Sequence, residues 1–111
     1  MACCAAVLCS AKKIWGKGGG GSGDGSAVPY TATIRAALPA LITKYKIRSM
    51  LDSSCGSMHW MPLVLREVQD KDKEFRFMGT DVACSQIQQH KVTFKLNKTM
   101  SFQVRLLCSK Q

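Results

Sequence analysis

The segment that most limits the fold begins at Ile47. Ile47, Met50 and Leu51 form an apolar run short enough to be a buried strand, Ile47–Asp52. It breaks off into Asp52-Ser53-Ser54-Cys55-Gly56, a string of turn and cap formers. A helical stretch follows at Met61–Gln69. Pro62 stands in its first turn, where a missing N–H leaves no bond unmade, and Leu63, Val64 and Val68 are placed to face a sheet. The charged stretch Asp70–Glu74 reads as a surface turn, and Phe75–Asp81 as a second strand that also ends in an acid. Strand, turn, helix and strand in this order make a βαβ unit, whose two strands run parallel.

The flanking segments extend the pattern. Upstream, Ile34, Ala37, Leu38, Leu41, Ile42 and Tyr45 recur at steps of three and four, one face of an amphipathic helix. Thr31 is its N-cap candidate, and Pro39 should kink the helix or divide it in two. Downstream, Val82–Gln89 reads as a short, weak helix. Two readings then compete. Val92, Phe94 and Leu96 alternate, as do Phe102, Val104 and Leu106, so the two runs can pair as a hairpin around Asn97–Met100. Alternatively, only Met100–Leu107 is a strand, and His90–Leu96 is irregular or helical. The expected fold class is α/β, a Rossmann-like doubly wound parallel sheet.

A chain of 111 residues makes one small domain and not two. Seven of the nine glycines fall in Gly16–Gly25, so residues 1–29 are expected to be a flexible glycine-rich segment, with the α/β domain in 30–111. No apolar run approaches the length of a membrane span. The apolar stretch Ala2–Ala11 is followed, not preceded, by Lys12 and Lys13, the reverse of a secretory signal. A cytoplasmic chain with reduced thiols is therefore expected. The six cysteines include no CxxC pair, and His59 and His90 are far apart in the chain, so neither a zinc site nor a catalytic triad is expected. The net charge of +9 is uneven, since no Asp or Glu follows Asp81. Nucleic acid is a conceivable partner on charge, but no aromatic side chains interleave with the lysines as a base-stacking platform requires.

The chemistry concentrates at the strand ends. In doubly wound sheets, ligands sit beyond the carboxyl ends of the strands. Gly56 lets backbone pass close to a ligand. Asp81, 25 residues further on, can accept hydrogen bonds from ribose hydroxyls. The pair suggests a nucleoside-bearing cofactor. The GxGxxG dinucleotide fingerprint is missing, and one glycine offers no dense set of amides to a pyrophosphate, so an adenosine cofactor without phosphates fits better.

These residues carry a resemblance. Ile47–Trp60 (IRSMLDSSCGSMHW) resembles motif I of class I S-adenosylmethionine-dependent methyltransferases. It is most similar to a subfamily that pairs a DxxCGxxxW loop with an upstream W…SGxGS element. Here that element is Trp15 with Ser22-Gly23-Asp24-Gly25-Ser26, and the downstream GxDV element is Gly79-Thr80-Asp81-Val82. The resemblance spans roughly residues 15–90. It implies S-adenosyl-L-methionine as cofactor, held by Asp52, Ser54, Cys55, Gly56, Ser57 and Asp81. Asp52, Cys55 and Gly56 would line the methionine part, Asp81 would hold the ribose, and Trp60 would pack over the motif I turn. The sequence departs from the family at Ser57 or Met58, where relatives often carry an acid, and again after Asp81, where the acid expected at the third strand is absent.

A complete sheet of this class needs on the order of 200 residues, at about 30 or more for each βαβ unit. The chain is therefore expected to hold only the first three strands, as a truncated methyltransferase-like domain that binds cofactor weakly and does not turn over alone, its methyl acceptor unidentified. The alternative is a non-catalytic basic binding or regulatory fragment that pairs with a longer relative.

Overall fold

The structure, a computed structural model, describes residues 24–105. Most of the glycine string, Trp15 and the last six residues lie outside this range. Three parallel strands, β1 (Ser49–Ser53), β2 (Arg76–Asp81) and β3 (Met100–Val104), form one sheet in the order β1-β2-β3. Helix α1 (Ala32–Lys44) precedes the sheet, while α2 (Met61–Lys71) and α3 (Cys84–Thr93) occupy the two connections. This is a doubly wound, Rossmann-like topology. Two short 3-10 turns, Asp24–Ser26 and Val28–Tyr30, lead into α1. No described helix is long and apolar enough to cross a membrane.

The described chain divides into two compact units, 51–56 with 77–105 and 24–50 with 57–76. The first holds the paired parts of the strands and α3. Its parallel register sets Phe77 against Met100, Gly79 against Phe102 and Asp81 against Val104. Phe102 is the hub of its core. Its ring meets Phe77 edge-on at 6.1 Å, stacks on Phe94 at 5.6 Å and lies 5.2 Å from the ring of His90. α3 buries Cys84, Gln86, Ile87 and His90, a face that recurs at helical spacing but is half polar, which is why its periodicity reads weakly.

α3 settles the two readings of the C-terminal part in favour of a single strand. It runs on through His90 to Thr93, and Val92 and Leu96 are exposed, so no hairpin forms. The alternation of Val92, Phe94 and Leu96 is incidental to that helix and the turn after it, in which only Phe94 turns inward to Phe102. Asn97 then sets up β3, its side-chain oxygen accepting from the Thr99 amide at 3.1 Å and the Thr99 hydroxyl at 2.8 Å. Cys84 is disulfide-bonded, which departs from the expectation of reduced thiols. Pairing depends on where Cβ atoms meet in space, and sequence spacing does not give that.

The second unit packs α1 against α2. α2 buries Met61, Val64, Leu65 and Val68, the i, i+3, i+4, i+7 set of one helical face. Leu63, expected on that face, is exposed, because the helical pitch places it on the opposite side of the helix from the stripe its neighbours define. α1 is one helix with Pro39 inside it, and it buries only Pro39 and Ile42, whereas Ile34, Leu41 and Tyr45 of the expected apolar face are exposed. Thr31 occupies the N-cap position without capping an amide. Its hydroxyl donates to the Val28 carbonyl at 3.1 Å and accepts from Arg35 Nε at 3.1 Å. The turn after α2 is closed by Gln69, whose amide donates to the Phe75 carbonyl at 3.0 Å, and by an Arg48–Asp72 ion pair at 2.9 Å. Phe75 is fully buried ahead of β2.

Candidate functional site at the carboxyl ends of β1 and β2

Parallel pairing brings the ends of β1 and β2 side by side, and the hydrogen bonds there tie the loop after β1 to the tip of β2. The Cys55 amide donates to the Thr80 carbonyl at 2.8 Å. The Gly56 amide donates to Asp81 Oδ2 at 2.9 Å, across 25 residues of sequence. Asp81 Oδ1 accepts from the Ala83 amide at 3.0 Å, which fixes the chain just before α3. One carboxylate thus holds the glycine loop and the start of the next helix together. Asp81 is buried, yet each of its oxygens accepts only one of these amide bonds, which leaves acceptor capacity on both.

Gly56 has φ 62°, in the left-handed region that side chains other than glycine enter at a cost. Its carbonyl is met by His90 Nε2 at 2.7 Å and, weakly, by the Cys55 thiol at 3.9 Å. Sequence reasoning does not mark His90 as a site residue. No local pattern marks it, because its partner is a backbone carbonyl 34 residues upstream.

Cys55 is half-buried and is the free thiol of the described residues. Burial, and then the charges of Asp81 and Asp52, push its pKa up to about 12. It is a neutral thiol at neutral pH, a soft polarizable wall and not a nucleophile. Asp52, half-buried within β1, is also raised from its ordinary value, first by burial and then by the charge of Asp81. A positive group is favoured beside the Asp52 carboxyl, whose ionisation burial and the charge of Asp81 oppose.

Of the six residues expected to hold the cofactor, Asp52, Cys55, Gly56 and Asp81 come together in this way. Ser54 is exposed in the turn after β1, and Ser57 is half-buried. His59 is exposed and Trp60 half-buried. Among the described residues, no three His, Cys, Asp or Glu side chains gather in a group that could hold a metal. A groove of about 440 Å³ runs between α1 and α2, lined by Pro39, Ile42, Ile47, Val68 and Phe75 among others, and it includes none of the six.

No family model matches the chain, and no curated protein or solved structure matches it.

Proposed function

We propose that this chain is the cofactor-binding part of an S-adenosylmethionine-dependent methyltransferase-like domain, with S-adenosyl-L-methionine bound at the carboxyl ends of β1 and β2. The observation that carries the reading is the Gly56 amide on the Asp81 carboxylate, which joins a glycine loop to a strand-end acid in a parallel α/β sheet. The resemblance of Ile47–Trp60 and Gly79–Val82 to the motifs of class I methyltransferases gives the cofactor its name.

The residues suit that cofactor chemically. Asp81 keeps acceptor positions for ribose hydroxyls after its two amide bonds. Gly56 presents no Cβ to a ligand. The raised carboxyl of Asp52, beside the charge of Asp81, favours a positive group, and the neutral Cys55 thiol offers a polarizable surface. The bound cofactor supplies an activated methyl group on a sulfonium. The protein's part is to hold it, to orient it toward an acceptor and to exclude water. In this reading Asp81 binds the ribose, Asp52, Cys55 and Gly56 line the methionine arm, and Ser54 and Ser57 close the loop around it.

Equilibrium dialysis with labelled S-adenosylmethionine tests the proposal, with ATP as competitor. Saturable binding that ATP does not displace, and that Asp52→Asn weakens more for S-adenosylmethionine than for S-adenosylhomocysteine, which lacks the sulfonium charge, supports it. Binding of ATP in preference would make the site a nucleotide site of another kind.

A second reading rests on a separate observation. Lys91, Lys95, Lys98 and Arg105 are all exposed, in a stretch without a single acid. A non-catalytic basic fragment that meets an acidic partner, nucleic acid included, would use that surface. Its signature is an affinity that falls steeply with added salt and ignores Asp81→Ala.

A further inference from the structure

We infer that His90 is a positioning residue for the β1 tip, fixing the Cys55–Gly56 backbone in its binding shape before any ligand arrives. This rests on the cofactor reading for its purpose and on geometry alone for its existence. A backbone carbonyl only accepts hydrogen bonds, so the contact of 2.7 Å between His90 Nε2 and the Gly56 oxygen requires the proton on Nε2. The ring is not free to choose another direction. It is buried in α3, 5.2 Å from the ring of Phe102 and 6.2 Å from that of Phe94.

The loop is held at three successive groups. The Cys55 N–H goes to the Thr80 carbonyl, the Gly56 N–H to Asp81 and the Gly56 carbonyl to His90. Two of the anchors sit on adjacent residues at the tip of β2, and the third sits in α3. A residue at φ 62° with both its polar groups tied in this way has little freedom left. The Gly56 amide is also spent on Asp81. Gly56 therefore serves a ligand by allowing close approach, and the hydrogen bonds to that ligand come from the carboxylates. His90 acts through Gly56 and touches no ligand itself.

The test uses the full chain. Long-range proton–nitrogen correlation on the imidazole of the wild-type protein should show a proton on Nε2. An Nδ1–H tautomer would overturn the inference, whatever the variants do. His90→Phe keeps a ring between Phe94 and Phe102 but donates nothing, whereas His90→Gln restores an N–H donor of similar reach. Hydrogen exchange at the Gly56 amide should speed up by about tenfold in His90→Phe, as for loss of one ordinary hydrogen bond, and return toward wild type in His90→Gln. S-adenosylhomocysteine affinity should fall and recover in step. Unchanged Gly56 exchange in His90→Phe would reduce His90 to packing. A wild-type chain with a proton on Nε2 and a protected Gly56 amide, but no cofactor binding, would sink the cofactor reading and leave the positioning role standing.

Discussion

Phe102 occupies the space that a side chain at Gly79 would need. The two residues pair across β2 and β3, and a Cβ built on Gly79 would lie 2.9 Å from two carbons of the Phe102 ring and 3.0 Å from the Cys55 sulfur. Gly79 is thus required for room and not for an unusual backbone angle. Its missing side chain lets the aromatic core close over β2 and lets Cys55 settle beside it. Gly79→Ala should cost about 1–3 kcal/mol, as overpacking in a well-filled core does. Urea denaturation checks this, with a lower midpoint and an unchanged slope expected. A wild-type midpoint would mean that Phe102 yields freely.

Asp81 makes two amide bonds from one carboxylate, and an asparagine can match only one of them. Asp81→Asn should destabilise the fold by about 1–3 kcal/mol, because its NH2 group would face one of the two N–H donors. Amide exchange at Gly56 and Ala83 will show which bond is lost. Equal protection of both amides in the variant would deny the carboxylate its bridging part.

Asp52 gives a pH signature of definite sign. Its folded pKa is raised from 3.8, so the folded state keeps a proton that the unfolded chain has already released. The stability this contributes is complete below the unfolded value and is lost as pH climbs through the folded one. Asp52→Asn removes the buried charge. Its urea midpoint should exceed that of wild type at neutral pH, and the gap should close as pH falls toward 3.8. A gap that widens in acid would contradict the assigned cause.

Cys55, with its pKa pushed from 9.0 to about 12, should be slow to alkylate in the folded chain. Peptide mapping after iodoacetamide treatment near pH 8 should find it modified at least about tenfold more slowly than in urea, since the thiolate is the reacting form. The same shift makes the Cys55 contribution to stability fall as pH rises between 9 and about 12, a loss that Cys55→Ser should not show.

Much of the sheet and part of the site are legible in the residues themselves, for physical reasons. α2 and β2 announce themselves because a turn string and a helix-spaced segment are local signals; β1 is legible in place but not in burial, since it starts at Ser49 and leaves Ile47 and Leu51 of the apolar run exposed. The acids at the ends of both strands follow from the same reading. The faces are harder. Leu63 and Leu65 are interchangeable in composition, and only the phase of the helix buries one and exposes the other. α3 hides because its inward face spends Gln86 and His90 where a plain amphipathic helix would spend leucine. His90 lies furthest from view, since nothing near it in sequence predicts a bond to the carbonyl of Gly56.

In the proposed function, one cofactor is held where Gly56 meets Asp81. A two-dimensional amide NMR spectrum of the full chain, recorded while S-adenosylmethionine is added, tests it most directly. Dispersed peaks and saturable shifts confined to 52–57, Asp81 and the start of α3 are expected. A dispersed spectrum in which those peaks stand still at saturating cofactor would contradict it.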